Sequence, residues 1–376
     1  MSLISNRYDI AAYYWPAYHD EPRWRRFMPA GEGEWETIRK AKPKFEGHRQ
    51  PRIPLWGYLN EADPRVMERK IDVAVEHGVN TFIFDWYWYE NQPFLEDALV
   101  KGFLAARNNS RIRFFLMWAN HDATTGWDLT QADENRLVWR GAVDRRTFDN
   151  VAQRVIECFF VQPSYYKIDG KPVFSIYDLT NLIDGLGGIG ATRETLDAFR
   201  ARVRVAGFPG LHLQAILWGQ IPASLSMVPG DRRETQNNTA RALGLDSLTN
   251  YQWCHYVRPH GPYRDWADKA VAAWEGWATE FEVPFYPHVS VGWDTNPRFR
   301  KLCDLVTDNQ PEVFGEYVRR AMAFVDRQAL SPRMITVNAW NEWSECSYLE
   351  PDTVYGMRYL EALRNALVTP GSVPAG

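Results

Sequence analysis

Met334-Ile335-Thr336-Val337-Asn338-Ala339-Trp340-Asn341-Glu342-Trp343-Ser344-Glu345 is the stretch on which the reading of this chain turns. Its first four residues are apolar or β-branched and read as a strand. The polar, tryptophan-rich segment behind them sets two carboxylates, Glu342 and Glu345, three residues apart. Residues so spaced point to opposite faces of an extended strand but share one face on a turn or a first helical turn, as a strand that ends here requires. Like charges held close raise one pKa and leave an acid beside a base. Glycoside hydrolysis needs such a pair, one group protonating the departing oxygen while the other assists attack at or beside the anomeric carbon. Two glutamates solvated on a loop are the bland alternative, and the flanking Trp340 and Trp343 count against it.

Apolar runs of strand length recur at 8–14, 79–84, 112–117, 172–177, 211–217, 247–250, 285–291 and 334–337. Amphipathic stretches separate them, the pattern of repeated βα units. One helix is expected from its Asp63 cap and Pro64 start to Gly78, and another opened by Pro93, with Leu95, Ala98, Leu99, Gly102, Phe103 and Ala106 on one side. Others are expected over 192–206, 263–281, 311–327 and 355–367. No glycine-rich phosphate turn follows an early strand, so the fold class is α/β, a single (β/α)8 TIM barrel with long βα loops, and not a doubly wound sheet. Residues 1–368 are expected to form one catalytic barrel and 369–376 a flexible tail. The insertion over 16–62 is long enough to be functional.

Active sites of such barrels gather at the C-terminal ends of the strands. Those ends supply the expected substrate-binding set: Tyr14, Trp15, Asp85, Trp86, Trp118, Asn120, His121, Tyr177, Asp178, Trp218, Tyr251, Trp253, Trp293, Asp294, Trp340, Asn341 and Trp343. Aromatic rings stack on the C–H faces of sugars, and the amides, acids and His121 bond hydroxyls. Structural roles compete: Trp86, Trp88 and Trp118 fit a plug of the barrel mouth, and Asp85 and Asp178 fit caps of the following loop or helix. Glu350 and Asp352, around Pro351, are expected to fix their loop, and Cys346, with no histidine nearby in sequence, to pack.

Lys plus Arg number 43 and Asp plus Glu 47, a net charge of −4 that offers no bulk attraction to nucleic acid or anionic lipid. The 14% aromatic content, with 17 Trp, goes beyond core needs if many of the rings sit in loops, where they suit a carbohydrate partner. No apolar stretch approaches the ~20 residues of a membrane span. The first eight residues show no basic region and apolar core, so the expectation is cytoplasmic as given, or secreted or periplasmic if a leader was removed. Four scattered cysteines fit a reduced interior. His19-Asp20 and His121-Asp122 match no metal cage, and no metal or cofactor is expected.

The chain also resembles the WbsX-like proteins, related to the endo-α-mannosidases and endo-α-mannanases of glycoside hydrolase family 99. The resemblance runs along nearly the whole chain. Its anchors are Tyr13-Tyr14, Gly33-Glu34-Trp35, the run from Gly47 to Pro54, Asp63-Pro64, Phe84-Asp85-Trp86-Tyr87-Trp88, Trp118-Ala119-Asn120, Asp169-Gly170-Lys171-Pro172 and Asn341-Glu342-Trp343-Ser344-Glu345. It implies a (β/α)8 barrel and a retaining reaction on α-mannosides. Glu342 would deprotonate the sugar 2-hydroxyl, which attacks the anomeric carbon to give an epoxide-like intermediate, and Glu345 would serve as general acid and then base. The chain departs from the hydrolases at Ser344-Glu345-Cys346, where they carry His-Glu-Gly, and from many WbsX-like chains at His121-Asp122-Ala123, where those have Glu-Asn-Trp. The same resemblance admits a glycosyltransferase of surface-polysaccharide assembly, and a carbohydrate-binding protein without catalysis is a third reading.

Overall fold

A computed structural model describes residues 7–128, 132–219 and 232–368. The expected tail at 369–376 lies outside the described residues. Eight parallel strands form a nearly closed barrel: β1 (Asp9–Tyr14), β2 (Thr81–Tyr89), β3 (Arg113–Trp118), β4 (Lys171–Ile176), β5 (His212–Ile216), β6 (Ser247–Thr249), β7 (His288–Ser290) and β8 (Met334–Asn338). Neighbours in sequence are neighbours in space, and β1 pairs with β8 from Asp9 against Met334 to Ala12 against Val337. The remaining gap, between β6 and β7, is crossed by a parallel bridge from Leu248 to Phe285. Each strand lies within a few residues of its expected run, because long apolar stretches bounded by turn residues have few other ways to be buried.

Helices α1 (Trp35–Lys40), α2 (Pro64–Glu76), α3 (Arg145–Arg154), α4 (Leu179–Leu186), α5 (Ile189–Val205), α6 (Arg232–Leu243), α7 (Tyr263–Val271), α8 (Ala273–Glu280), α9 (Pro311–Arg327) and α10 (Arg358–Leu367) occupy the connections. Among the described residues no helix is long and apolar enough to cross a membrane. The start of α2 is as its sequence dictates: the Asp63 carboxylate accepts from the Arg65 N–H, and Pro64 fills the first helical position. The single helix expected over 263–281 is interrupted at Ala272 into α7 and α8.

The helix expected to open at Pro93 is replaced. β2 continues through Asp85-Trp86-Tyr87-Trp88 to Tyr89 and folds back on Gln92–Phe94 as a hairpin. Glu90 and Asn91 both take left-handed backbone angles, the requirement of a tight two-residue hairpin turn, and Pro93 sits on an edge arm where its missing N–H is tolerated. Only one wide helical turn, Ala98–Phe103, remains of the helix. There Gly102 lies against the Glu61 carbonyl, where a Cβ would come within 2.0 Å of the oxygen.

Beneath the barrel mouth, the long insertion is anchored by Lys70 of α2. Its Nζ lies 2.5 Å from Glu61 of the insertion and 2.5 Å from Glu350 behind β8, with all three side chains buried. Burial opposes the ammonium charge, but Glu350 and Glu61 hold its pKa above the ordinary lysine value. Glu61 also accepts from the Tyr14 hydroxyl at 2.9 Å and the Asn341 amide at 2.7 Å, and Glu350 accepts from the Trp343 indole at 2.8 Å. Lys70→Met should leave two buried carboxylates without their cation and lower stability by about 3–5 kcal/mol. Urea unfolding measures it, and a loss below about 1 kcal/mol would mean that this triad does not anchor the insertion.

Candidate active site

Where the strands end, a cavity of about 290 Å³ opens, and residues from seven of the eight strand ends reach its wall. Trp15 follows β1, Asp85 and Tyr87 belong to β2, and Met117 lies near the end of β3, with Ala119 and His121 just beyond. Tyr177, Trp218 and Tyr251 follow β4, β5 and β6, and Glu342 and Glu345 follow β8. Arg298 and Trp127 come from the loops.

The segment after β8 turns as the three-residue spacing demands. Asn341–Glu342 pairs antiparallel with Ser347–Tyr348, and Trp343–Glu345 is a single 3-10 turn closed by Cys346 in the left-handed region. Both glutamates therefore face one cavity. Their neighbours in sequence hold the turn: the Asn341 side chain accepts from the Trp15 N–H at 2.8 Å and donates to the Trp15 carbonyl at 2.7 Å. The Trp343 N–H donates to the Tyr18 hydroxyl at 3.0 Å, and its ring stacks on Tyr348 with centroids 3.8 Å apart.

Arg298 stands at the centre of the acids. It donates from Nη1 to Glu345 Oε1 at 2.7 Å and from Nε to Glu34 Oε1 at 3.1 Å, and Nη2 lies 3.7 Å from Glu342 Oε1. Burial opposes its charge, and Glu34, Glu345 and Glu342 more than offset that effect. Glu34 Oε2 is held in turn by the Trp15 indole at 2.7 Å and the Ser344 hydroxyl at 2.8 Å. Ser344, a position where the chain leaves the hydrolase pattern, thus fixes the partner of Arg298.

The two glutamates have unequal surroundings. Glu342 Oε2 accepts from the Tyr251 hydroxyl at 2.8 Å and the Asn338 amide at 3.1 Å. Burial raises its pKa, while Arg298, Tyr251 and Asn338 favour its ionised form. Glu345 Oε2 is buried without a hydrogen-bond partner. Burial and then the charge of Glu342 raise Glu345 well above the ordinary carboxyl value, against the pull of Arg298. Tyr251 also lies 2.9 Å from Asp85 Oδ2. A hydroxyl has one proton to donate, so when it serves Glu342 the contact to Asp85 requires a proton on Asp85. Burial, then Glu342, push Asp85 well above its ordinary value, consistent with that count.

Of the substrate-binding set, Trp15, Asp85, His121, Tyr177, Trp218 and Tyr251 line this cavity. Burial lowers the pKa of His121, leaving a neutral imidazole. Trp218 stacks on His255 at 4.3 Å, and Tyr177 contacts His255 through its hydroxyl. Other members of the set lie elsewhere. Tyr14 belongs to the Glu61 cluster below, and the Trp86 indole bonds Glu96. Trp118 packs between Phe148 and Phe174, the Trp253 indole bonds the His288 carbonyl, and Trp340 is buried against Phe82. Asn120 clamps the backbone of Asp178 on both sides, and Asp178 caps α4 through the Asn181 N–H at 2.9 Å. Asn341 and Trp343 hold the β8 turn, and Trp293 and Asp294 line a second cavity.

Arg298, Glu34, Met117 and Trp127 were not expected at a site. Glu34 stands inside an anchor of the family resemblance, whereas Arg298 carries no sequence signal, since basic residues on loops are common and usually solvated. Cys346 is buried against Gln50 and Asp294, and burial with the nearby Asp294 charge pushes its thiol up to about 12. It stays protonated and is no nucleophile at neutral pH. Among the described residues no group of three or more His, Cys, Asp or Glu side chains is arranged to hold a metal ion.

The Glycosyltransferase WbsX family matches residues 10–363, and the chain belongs to it. WxcX of two strains of Xanthomonas campestris pv. campestris, a protein without a described activity, is 27% identical over 364 residues, 95% of this chain. The chain spans about half, 49%, of the length of those curated relatives. Among solved structures, a GH99 endo-α-mannosidase from Bacteroides thetaiotaomicron covers 96% of both chains with a TM-score of 0.60 and 13% identity. A glycoside hydrolase-like protein covers 98% of this chain and 96% of its own, with a TM-score of 0.61 and 16% identity. At such identities the likeness establishes a glycoside-hydrolase-like barrel fold.

The proton on Asp85 has a consequence for stability. Its folded pKa lies above the unfolded one, so the folded state holds the extra proton between the two values, and stability falls as pH rises through that window. Asp85→Asn, which cannot ionise, should gain on the wild type by about 1.4 kcal/mol per pH unit across the window. The two proteins should converge below about pH 4. Urea unfolding at the two extremes of pH measures this, and a variant that is less stable at neutral than at acid pH, relative to wild type, would contradict it.

Proposed function

We propose that this member of the WbsX family is a retaining glycosidase acting on an α-linked, manno-configured or similar glycan, with residues 1–368 as one catalytic barrel. The observation that carries the reading is the pair Glu342 and Glu345, facing one cavity and sharing one guanidinium in unequal surroundings. Glu342, with three donors or charges favouring its carboxylate, suits the base. Glu345, raised by burial and by the charge of Glu342, suits the acid.

In the first step Glu342 takes the proton of the sugar 2-hydroxyl as that oxygen forms a bond to the anomeric carbon. Glu345 gives its proton to the glycosidic oxygen as the C–O bond breaks. In the second step Glu345, now a carboxylate, takes a proton from water as the water oxygen attacks the anomeric carbon and the bond from that carbon to the 2-oxygen breaks, and Glu342 returns its proton to the freed 2-oxygen. The chemistry needs the 2-hydroxyl anti to the leaving group, as in α-mannosides. Arg298 lowers the cost of charge moving between the two carboxyls, because it contacts both. Trp15, Tyr87, Tyr177 and Trp218 offer ring faces to sugar, and Asp85 and His121 offer hydrogen bonds. The endo-α-mannosidase named among the solved structures supports this substrate class by its fold.

The family description favours a second reading, transfer to an acceptor hydroxyl. The same two glutamates perform it if an alcohol replaces water in the second step. Transfer from a nucleotide sugar would instead require a donor site of its own.

Screening α-linked polysaccharides for released reducing ends tests the proposal. Glu342→Gln and Glu345→Gln should each lower kcat/KM by about 10²–10⁴-fold on a cleaved glycan. On an aryl α-mannoside with a good leaving group, which needs no protonation, the Glu345→Gln loss should shrink while the Glu342→Gln loss persists. Turnover within tenfold of wild type for both variants would refute the roles, and saturable binding of a nucleotide sugar without release of reducing ends would favour the transferase.

A further inference from the structure

Glu345 lines the first cavity, and the next residue, Cys346, lines a second of about 230 Å³. Its walls come from the insertion at 45–52, from Trp293 and Asp294 after β7, and from 305–310 at the start of α9. Trp293, Phe45 and Tyr355 supply aromatic surface, and Arg49 and Arg52 supply cations. The two cavities share a wall, because the Asp294 N–H donates to the Glu345 carbonyl at 2.7 Å.

Arg52 is the unusual member. Its side chain is only 14% exposed, Nε is buried without a partner, and its ion-pair contact, to Asp352 Oδ2, is 3.9 Å long. Tyr348, Cys346 and Tyr355 also lie around it, none of them a carboxylate partner. The acids nearby have hydrogen-bond donors of their own and make no short contact with Arg52. Asp352 accepts from the Tyr348 hydroxyl and from the N–H groups of Val354 and Tyr355. Asp294 accepts from His48 and Gln50 on one oxygen and from Asn296 twice on the other. Asp308 accepts from the Thr307 hydroxyl. His48 adds no cation, since its Nδ1 accepts the Lys44 N–H and its Nε2–H therefore faces Asp294.

Arg49 is exposed and makes no hydrogen bond or ion pair with the described residues. At the same cavity α9, 17 residues long, begins behind Gln310, whose side chain does not cap it. A buried guanidinium with idle donors is expensive unless something accepts from it, and its planar fork matches a carboxylate. The flanking aromatic surface matches a sugar ring. We propose that this cavity is an accessory subsite for a sugar acid, a glycan residue whose carboxylate is gripped by Arg52 and Arg49. The choice of a sugar over another carboxylate rests on the glycosidase reading above, whereas the anion site does not.

Calorimetric titration with methyl α-glucuronide, methyl α-glucoside and inorganic phosphate tests it on the full chain. The glucuronide should bind saturably, about tenfold or more tighter than the glucoside. Arg52→Met should abolish that binding and Arg49→Ala should weaken it severalfold, while Glu345→Gln should retain it. Arg49 is exposed, so its variant keeps the test decisive if Arg52→Met does not fold. Equal binding of glucuronide and glucoside, phosphate binding tighter than glucuronide, no saturable binding, or binding lost in Glu345→Gln but kept in Arg49→Ala would each overturn the subsite. Failure of glucuronide binding with cleavage intact refutes this subsite alone, and binding intact with active Glu342→Gln and Glu345→Gln variants refutes the glycosidase roles alone.

Discussion

One guanidinium set against several carboxyls is the constraint on which the site depends. Arg298 contacts Glu34, Glu342 and Glu345 directly, and Asp85 adds a fourth acid through Tyr251. A single positive charge cannot hold four buried negative charges in a medium of low polarity, so protons must remain on some of the acids. Burial and the charge of Glu342 hold them on Glu345 and Asp85, while Arg298, Tyr251 and Asn338 favour the ionised form of Glu342. Glu342 has donors for its carboxylate, while Glu345 Oε2 and Asp85 Oδ1 have none. The difference between two chemically identical side chains three residues apart is thus made by their neighbours.

The barrel makes this arrangement possible by converging separate segments on one mouth. Glu34 arrives on the insertion, Arg298 on the loop after β7, Tyr251 behind β6 and the glutamates behind β8. Each would drift if its segment were free. The Lys70 ion cluster ties the insertion and the β8 loop to α2, and Asn341 ties the β8 turn to β1. These are buried, partnered contacts, which makes the acid pair a preorganised feature and not a surface accident. The second cavity shares this framework, since Asp294 bonds the backbone of Glu345 on one side while His48 and Gln50 of the insertion hold its carboxylate.

Much of this was legible in the sequence, for reasons that differ by residue. The strands were legible because burial on both faces leaves long apolar runs, and the facing of Glu342 and Glu345 because their spacing suits a turn. The helix expected behind Pro93 was not, because the left-handed pair Glu90-Asn91 makes a hairpin that no apolar periodicity reports. Tryptophans were located but not oriented. Trp15 and Trp218 line the cavity, whereas Trp86, Trp118, Trp253, Trp340 and Trp343 are buried away from it, and a strand-end position does not say which side of the wall a ring takes. Arg298 was invisible, because its importance comes from three acids distant in sequence.

Infrared difference spectroscopy of wild type against Glu345→Gln near neutral pH tests the proton inventory most directly. A carboxylic-acid carbonyl band present in the wild type and lost in the variant places the retained proton on Glu345, as its burial beside the charge of Glu342 predicts. A difference spectrum showing only loss of an ionised carboxylate would contradict it, and with it the division of labour between Glu345 and Glu342.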